Sequence, residues 1–164
     1  MTANPMIRCA CLTGIALSLT ACHGAQTSRS EVCSDPAAAQ AAFVSHVFAD
    51  NASGIGRDAA RVFIELPGGA DPGPGFLARI RDVPVALAPA SQAQVDETAI
   101  LRDPVSGGRA LLIRIRQFSM TGPASAEIQG GYEEASLSAS DAIYELRCER
   151  DVWTVTRRGP LKIS

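Results

Sequence analysis

The sequence predicts an α+β domain in which an N-terminal helix and a short second helix pack on a curved antiparallel sheet of four to six strands. Three observations lead there. Apolar residues recur at helical spacing through residues 36–66, the period falls to two from residue 76 onward, and the period-two runs are separated by short turns. Consecutive strands joined in that way make an antiparallel meander with one solvated face.

Asp35-Pro36 opens the first helix, because Asp caps a helix start and Pro is favoured at the first helical position. Ala37 to Ala42 supply helix propensity, and Phe43, Val44, Val47 and Phe48 form its apolar stripe. Asp50-Asn51 and Gly54 end it. From Arg57 to Leu66, Ala59, Val62, Phe63 and Leu66 fall at i, i+3, i+4 and i+7, which predicts the second helix, although Val62-Phe63-Ile64 also suits an extended run. Pro67-Gly68-Gly69 stops that element and the stretch through Gly75 reads as loop.

Phe76, Ala78 and Ile80 then alternate with Leu77, Arg79 and Arg81 as a strand would, and Pro84 demotes the residues after it to edge or loop. Thr98 to Arg102 is a short strand, and Asp103 to Gly108 a turn. Arg109 to Met120 carries the strongest strand pattern, with Leu111, Ile113 and Ile115 set against Arg114 and Arg116. Thr121-Gly122-Pro123 turns the chain into a run whose inward set is Ala124, Ala126, Ile128, Gly130 and Tyr132. After a Ser-rich loop, Ala142, Tyr144, Leu146 and Cys148 alternate with Asp141, Glu145, Arg147 and Glu149. Asp151 turns the chain into Trp153 to Arg157. No internal repeat is visible.

Composition bounds the function. The chain has 164 residues, 15 basic against 17 acidic, 46% apolar and 5% aromatic, which fits one globular domain and excludes a wholly disordered chain. A formal charge of −2 argues against a nucleic-acid binder working through a strongly basic face. The preference for Arg over Lys, with Lys162 the lone lysine, says little about chemistry.

The N-terminus reads as an address. From Met6, which also suits a translation start, Arg8 supplies a positive region and residues 9–20 an apolar run of signal-peptide length. That run is too short to span a bilayer, which needs roughly 17 to 25 apolar residues. It ends in Leu19-Thr20-Ala21-Cys22, which resembles the lipobox of bacterial lipoproteins. The resemblance implies cleavage before Cys22, a diacylglyceryl group on its thiol and acylation, commonly with palmitate, of the new amine. Residues 1–21 are then signal peptide, 22–34 lipidated cysteine and tether, and 35–164 the domain. An ordinary signal peptide with an incidental Cys22 is the alternative. Two or three acyl chains anchor stably where one is marginal. In the family's sorting pattern Asp after the lipidated Cys retains the protein in the inner membrane, so His23 implies the outer membrane, facing the periplasm. Cleavage removes Arg8 and no acidic residue, so the charge moves from −2 to −3.

Cys9 and Cys11 leave with the signal and Cys22 carries lipid, so Cys33 and Cys148 remain. In an oxidising envelope compartment that pair reads as a disulfide, with two buried thiols or one reactive thiol as alternatives. The bridge would leave ten tether residues, His23 to Val32, spanning at most about 35 Å.

Tyr144-x-Leu146-x-Cys148, followed across a turn by Trp153-x-Val155, resembles the terminal hairpin of small NTF2-like or cystatin-like domains over residues 109–158. The resemblance implies a concave space between helix and sheet that Tyr132, Tyr144 or Trp153 would line.

Chemistry-bearing residues are scarce, and none is expected to be catalytic. His23 abuts the anchor site and His46 lies beside the helix stripe, a rim position. No CxxC, HxxxH or HExxH occurs, so neither metal nor cofactor is expected. Asp96-Glu97 and Glu133-Glu134 point to opposite faces if extended, which makes them poor acid–base pairs. Arg114 and Arg116, with Glu127, can meet Asp141 and Glu145 across strands, giving a solvated charged face or a polar recognition surface. Ser53-Gly54-Ile55-Gly56 lacks the lysine of a phosphate loop, and Asn51-Ala52-Ser53 matches a glycosylation sequon that a bacterial address makes irrelevant. Arg157, Arg158 and Lys162 give a mildly basic tail.

The expectation is therefore a non-enzymatic, lipid-anchored envelope module that binds an envelope protein and no nucleic acid. The alternatives are an immunity or inhibitor lipoprotein against a cell-wall-degrading enzyme, or an NTF2-like small-ligand binder or enzyme. A deep pocket would favour the last reading; a filled aliphatic core would sink it.

Overall fold

The computed structural model describes residues 31–50, 58–135 and 138–163. The expected signal peptide and lipobox with Cys22, His23 and the Asn51–Gly56 motifs lie outside the described residues.

A helical turn, α1 (Glu31–Ser34), leads into α2 (Pro36–Asp50), followed by β1 (Arg61–Glu65), the short α3 (Pro74–Leu77), β2 (Ala86–Pro89), β3 (Gln94–Val95), β4 (Leu101–Arg102), β5 (Ala110–Gly122), β6 (Ser125–Ala135), β7 (Ser138–Glu149) and β8 (Val152–Ile163). The start of α2 follows its sequence signal: Asp35 Oδ1 accepts the Ala37 N–H at 2.9 Å, with Pro36 as first helical residue. Six strands form one sheet in the order β2-β1-β5-β6-β7-β8, while β3 and β4 pair separately. The class is α+β, with the sheet curled into a half-barrel around α2.

Three expectations are corrected. The second helix does not form; Arg61–Glu65 is β1, which runs parallel to both β2 and β5. Val62 and Ile64 enter the core beneath α2, while Phe63 enters a second apolar cluster on the opposite face with Ala88, Leu101, Ala110 and Leu112. A strand buried on both faces carries a continuous apolar run, and in this one the helical spacing was coincidental. The sheet is consequently mixed, antiparallel only from β5 to β8. Phe76–Ile80 is not a strand either. Pro74 starts a single helical turn there, and Ile80 is buried after it.

The curl has a local cause. A register shift between Ile115 and Gln117 leaves Arg116 as the extra residue opposite Gly130 and Gln129 of β6, one pair after Arg114–Gly131. A Cβ on Gly130 would stand 2.3 Å from the Arg114 carbonyl oxygen and 3.1 Å from Phe43 Cζ, and one on Gly131 would stand 1.8 Å from the Ser140 carbonyl oxygen. Absent side chains at these two positions let β5, β6 and β7 close up and let Phe43 of α2 seat on the sheet. Phe43, Val44, Ile113, Ile115, Ile128 and Leu146 are fully buried there.

The meander ends in a tight hairpin. Arg150 and Asp151 both take left-handed φ values, 50° and 66°, between the paired residues Glu149 and Val152. Two such central residues match the right-handed twist of the flanking strands. Cys33 and Cys148 form a disulfide with Cα atoms 5.4 Å apart and a separation of 115 positions in sequence.

Candidate functional site

The residues singled out from the sequence fall on two faces of the sheet. Tyr132, Tyr144 and Trp153 point to the concave face beneath α2, with the disulfide at one end of it. Arg114 and Arg116 belong to the convex face.

On the concave face the space is occupied. Tyr144 is 4% exposed and packs edge-on against Phe43, ring centroids 5.0 Å apart at 73°. Such a pair contributes about 0.5–1.5 kcal/mol beyond area burial. His46 meets the same tyrosine from the helix rim, 5.9 Å away at 78°. Trp153 covers the disulfide end and donates its Nε1–H to the Val32 carbonyl at 3.2 Å. Tyr132 is half-buried toward the other end of α2; burial first, then the charges of Glu134 and Asp50, holds its phenol above the ordinary tyrosine range. The three aromatic side chains that the hairpin resemblance assigned to a pocket wall are thus core or core margin.

On the convex face Arg114 stands between Glu65 of β1 and Glu133 of β6, at 2.8 and 3.1 Å, and Arg116 pairs with Asp141 of β7. Gly131 lies between Arg114 and Asp141 in register and leaves room for the long side chains to cross β6. The Arg116–Asp141 pair follows the cross-strand pattern read from sequence, whereas Arg114 takes Glu65 and Glu133. A shallow hollow of about 430 Å³ adjoins these pairs, lined by Arg116, Phe118, Glu127, Gln129 and Ile143. Its mix of matched charges can bind polar groups but carries no reactive arrangement.

A second, larger hollow of about 500 Å³ lies where α2, the loop after α3 and the β7–β8 turn meet. Its floor is the small-residue side of α2 (Ala38, Ala41, Ala42), and Arg79, Arg81, Asp82 and Asp151 stand around it. Val32 and Val152, 40% and 63% exposed, form its apolar lip. Arg79 is held by Asp35, and Ser45 Oγ donates to the Arg81 carbonyl at 2.6 Å. The hollow is open and sits directly where the chain enters the domain. Sequence reasoning did not find it, because it is assembled from three segments that no local pattern connects.

A second group missed from sequence is a set of carboxylates that shape the crossover loops. Asp103 is 2% exposed and accepts from Ser106 Oγ at 2.7 Å, from the Val105 and Ser106 N–H groups and from Arg61 Nε at 2.9 Å. The Ser106 hydroxyl leads the groups that hold its carboxyl below the usual range, against the effect of burial. Asp96 is held well below that range, first by the Thr98 hydroxyl and then by the Ile100 N–H and Arg102. Asp71 is lowered by the hydroxyl and N–H of Ser91. Asp followed two or three residues later by Thr or Ser was the available signal for Asp96 and Asp103.

Among the described residues no group of three or more His, Cys, Asp or Glu side chains is placed to hold a metal ion, and no helix is long and apolar enough to cross a membrane. No protein-family model, curated protein or solved structure matches the chain.

Proposed function

We propose that this protein is a non-enzymatic lipoprotein, anchored through Cys22 and facing the periplasm, whose domain binds a protein of the cell envelope. The observation that carries the reading is the Cys33–Cys148 disulfide, since such bonds persist in oxidising compartments and are rare in the cytosol. The bridge also fixes the start of the domain within ten residues of the candidate anchor. The concave face supports a binding module over an NTF2-like enzyme, because Phe43, Val44, Tyr144 and Leu146 fill the volume where such a domain would hold a ligand. Within this reading the α2-on-curled-sheet arrangement is of the cystatin-like or NTF2-like kind, with the parallel β1–β2 pair standing outside that pattern. The hollow at the tether end, with its Arg79, Arg81, Asp82 and Asp151 rim, is the recognition surface of choice. Outer-membrane sorting follows from His23 by the same family pattern.

The test is Cys22→Ser in the full chain. Lipid labelling and membrane fractionation are expected to disappear together, and membrane retention unchanged would refute the anchor. Cross-linking of the anchored protein in intact envelopes then reads the partner, with loss of the cross-link in Arg81→Glu assigning the hollow to it.

A further inference from the structure

The two edges of the main sheet are not alike. β2 has four residues, ends in Pro89 and comes after Pro84, which leaves little backbone for pairing. β8 has twelve residues, with β7 on one side and, among the described residues, no strand on the other. Its regular part stops at Arg158, because Gly159, at φ 93°, and the next two residues fall between the pairs Ile143–Arg158 and Asp141–Lys162. Val152 to Arg158 is therefore an open edge of seven residues, rich in Val, Thr and Trp, the types that favour strands.

The tight turn sets which backbone groups face outward. Glu149 and Val152 flank a two-residue loop and exchange hydrogen bonds, so alternate residues Thr154 and Thr156 also turn their backbone groups to β7. Trp153, Val155 and Arg157 present theirs to the open side. We propose that this edge pairs with the same edge of a second copy, antiparallel, about a two-fold axis at Val155. In that register Val155 meets its own copy and Trp153 meets Arg157, the residues whose backbone groups are available. Thr154 meets Thr156, a favourable cross-strand pair, and Val152 falls level with residue 158. An interface of this kind is self-complementary, as a two-fold requires. The axis runs normal to the sheet, so both α2 helices and both chain entries beside Trp153 lie on one side of the joined sheets. Two tethers then leave in the same direction, toward one bilayer. The edge pairing itself does not depend on the anchor; only this last consequence does.

The test uses full chains carrying Thr154→Cys or Thr156→Cys, mixed or co-expressed, then oxidised and run without reductant. Opposed residues of a non-hydrogen-bonded antiparallel pair have Cα atoms about 4.5 Å apart, within disulfide reach, whereas 154–154 or 156–156 contacts lie diagonally beyond it. A dimer band is expected when both variants are present and only a trace from either alone. The double variant Thr154→Lys/Thr156→Lys, at exposed positions, is expected to weaken the dimer about tenfold or more with thermal unfolding unchanged. Monomers in every mixture, equal dimer yields from each single variant, cross-links to a protein of another mass, or a dimer indifferent to the lysines would each overturn the proposal. On soluble, unprocessed chain the same test is run with Cys9→Ser, Cys11→Ser and Cys22→Ser, which leaves the introduced cysteine as the one thiol outside the Cys33–Cys148 bridge, so failure of the lipid anchor is distinguishable from failure of the edge.

Discussion

Strands β5–β8 and the segment from Asp58 to Arg109 share one sheet but are held in place by different forces. The meander is a run of neighbours in sequence, closed by short turns and packed through Ile113, Ile115, Ile128 and Leu146 onto α2. The segment before it threads two parallel pairings through long crossovers, and outside β1 only Ala59, Ile80, Ala88 and Leu101 of its apolar residues are buried. Its loops take shape from carboxylates instead: Asp71 on Ser91, Asp96 on Thr98 and Ile100, Asp103 on Ser106 and Arg61. Apolar burial does not respond to protons, but carboxylate hydrogen bonds do. The two regions should therefore part company under different stresses.

The largest expected effect is loss of the disulfide. Cys33→Ser/Cys148→Ser frees a loop of more than 100 residues and is expected to lower stability by about 4–5 kcal/mol, less any relief, read as a fall in denaturation midpoint. Phe43→Ala comes next. It empties the seat over Gly130 and breaks the contact with Tyr144, for an expected loss of about 3–5 kcal/mol in chemical unfolding. Both changes strike the meander and α2, so a similar loss from a loop carboxylate would undo the distinction between the regions.

Acid should sharpen it. Asp71, Asp96 and Asp103 have folded-state pKa values below their unfolded ones, so their contribution is full above the unfolded value of about 3.9 and is lost as pH falls through the folded values. Hydrogen exchange at falling pH is expected to expose amides of residues 66–109 before those of β5–β8. Asp103→Asn is expected to reduce that pH dependence. Simultaneous loss of protection in both regions would show a single cooperative unit. The smallest effect is expected at the convex face, where Arg116→Ala removes a half-exposed pair with Asp141 and should change stability by roughly 0–1 kcal/mol.

The same division separates the elements legible in the sequence from those that were not. α2, with Asp35 and Pro36 at its start, and all four meander strands obey local rules of capping and alternation, and they lie where the sequence puts them. β1 defeated the period test because Val62, Phe63 and Ile64 are buried on both faces, a fact that depends on β2, β5 and the β4 segment together. α3 was hidden because Phe76, Ala78 and Ile80 alternate as a strand would, while Pro74 decides the local backbone. The disulfide was legible by elimination among five cysteines on the expectation that residues 1–21 are cleaved and Cys22 carries lipid. The Arg116–Asp141 pair was legible from alternation, but the hollow at the chain entry was not. Its walls come from residues 32–45, 79–82 and 151–153, which only the fold brings together.

The central claim is an anchored, disulfide-closed domain, and intact mass measurement of the protein extracted from membranes without reductant tests it most directly. The expected species is a chain of residues 22–164 carrying acyl groups at its first residue, with two hydrogens missing and no thiol open to alkylation. Retention of residues 1–21, an unmodified Cys22, or two alkylatable thiols at Cys33 and Cys148 would contradict it.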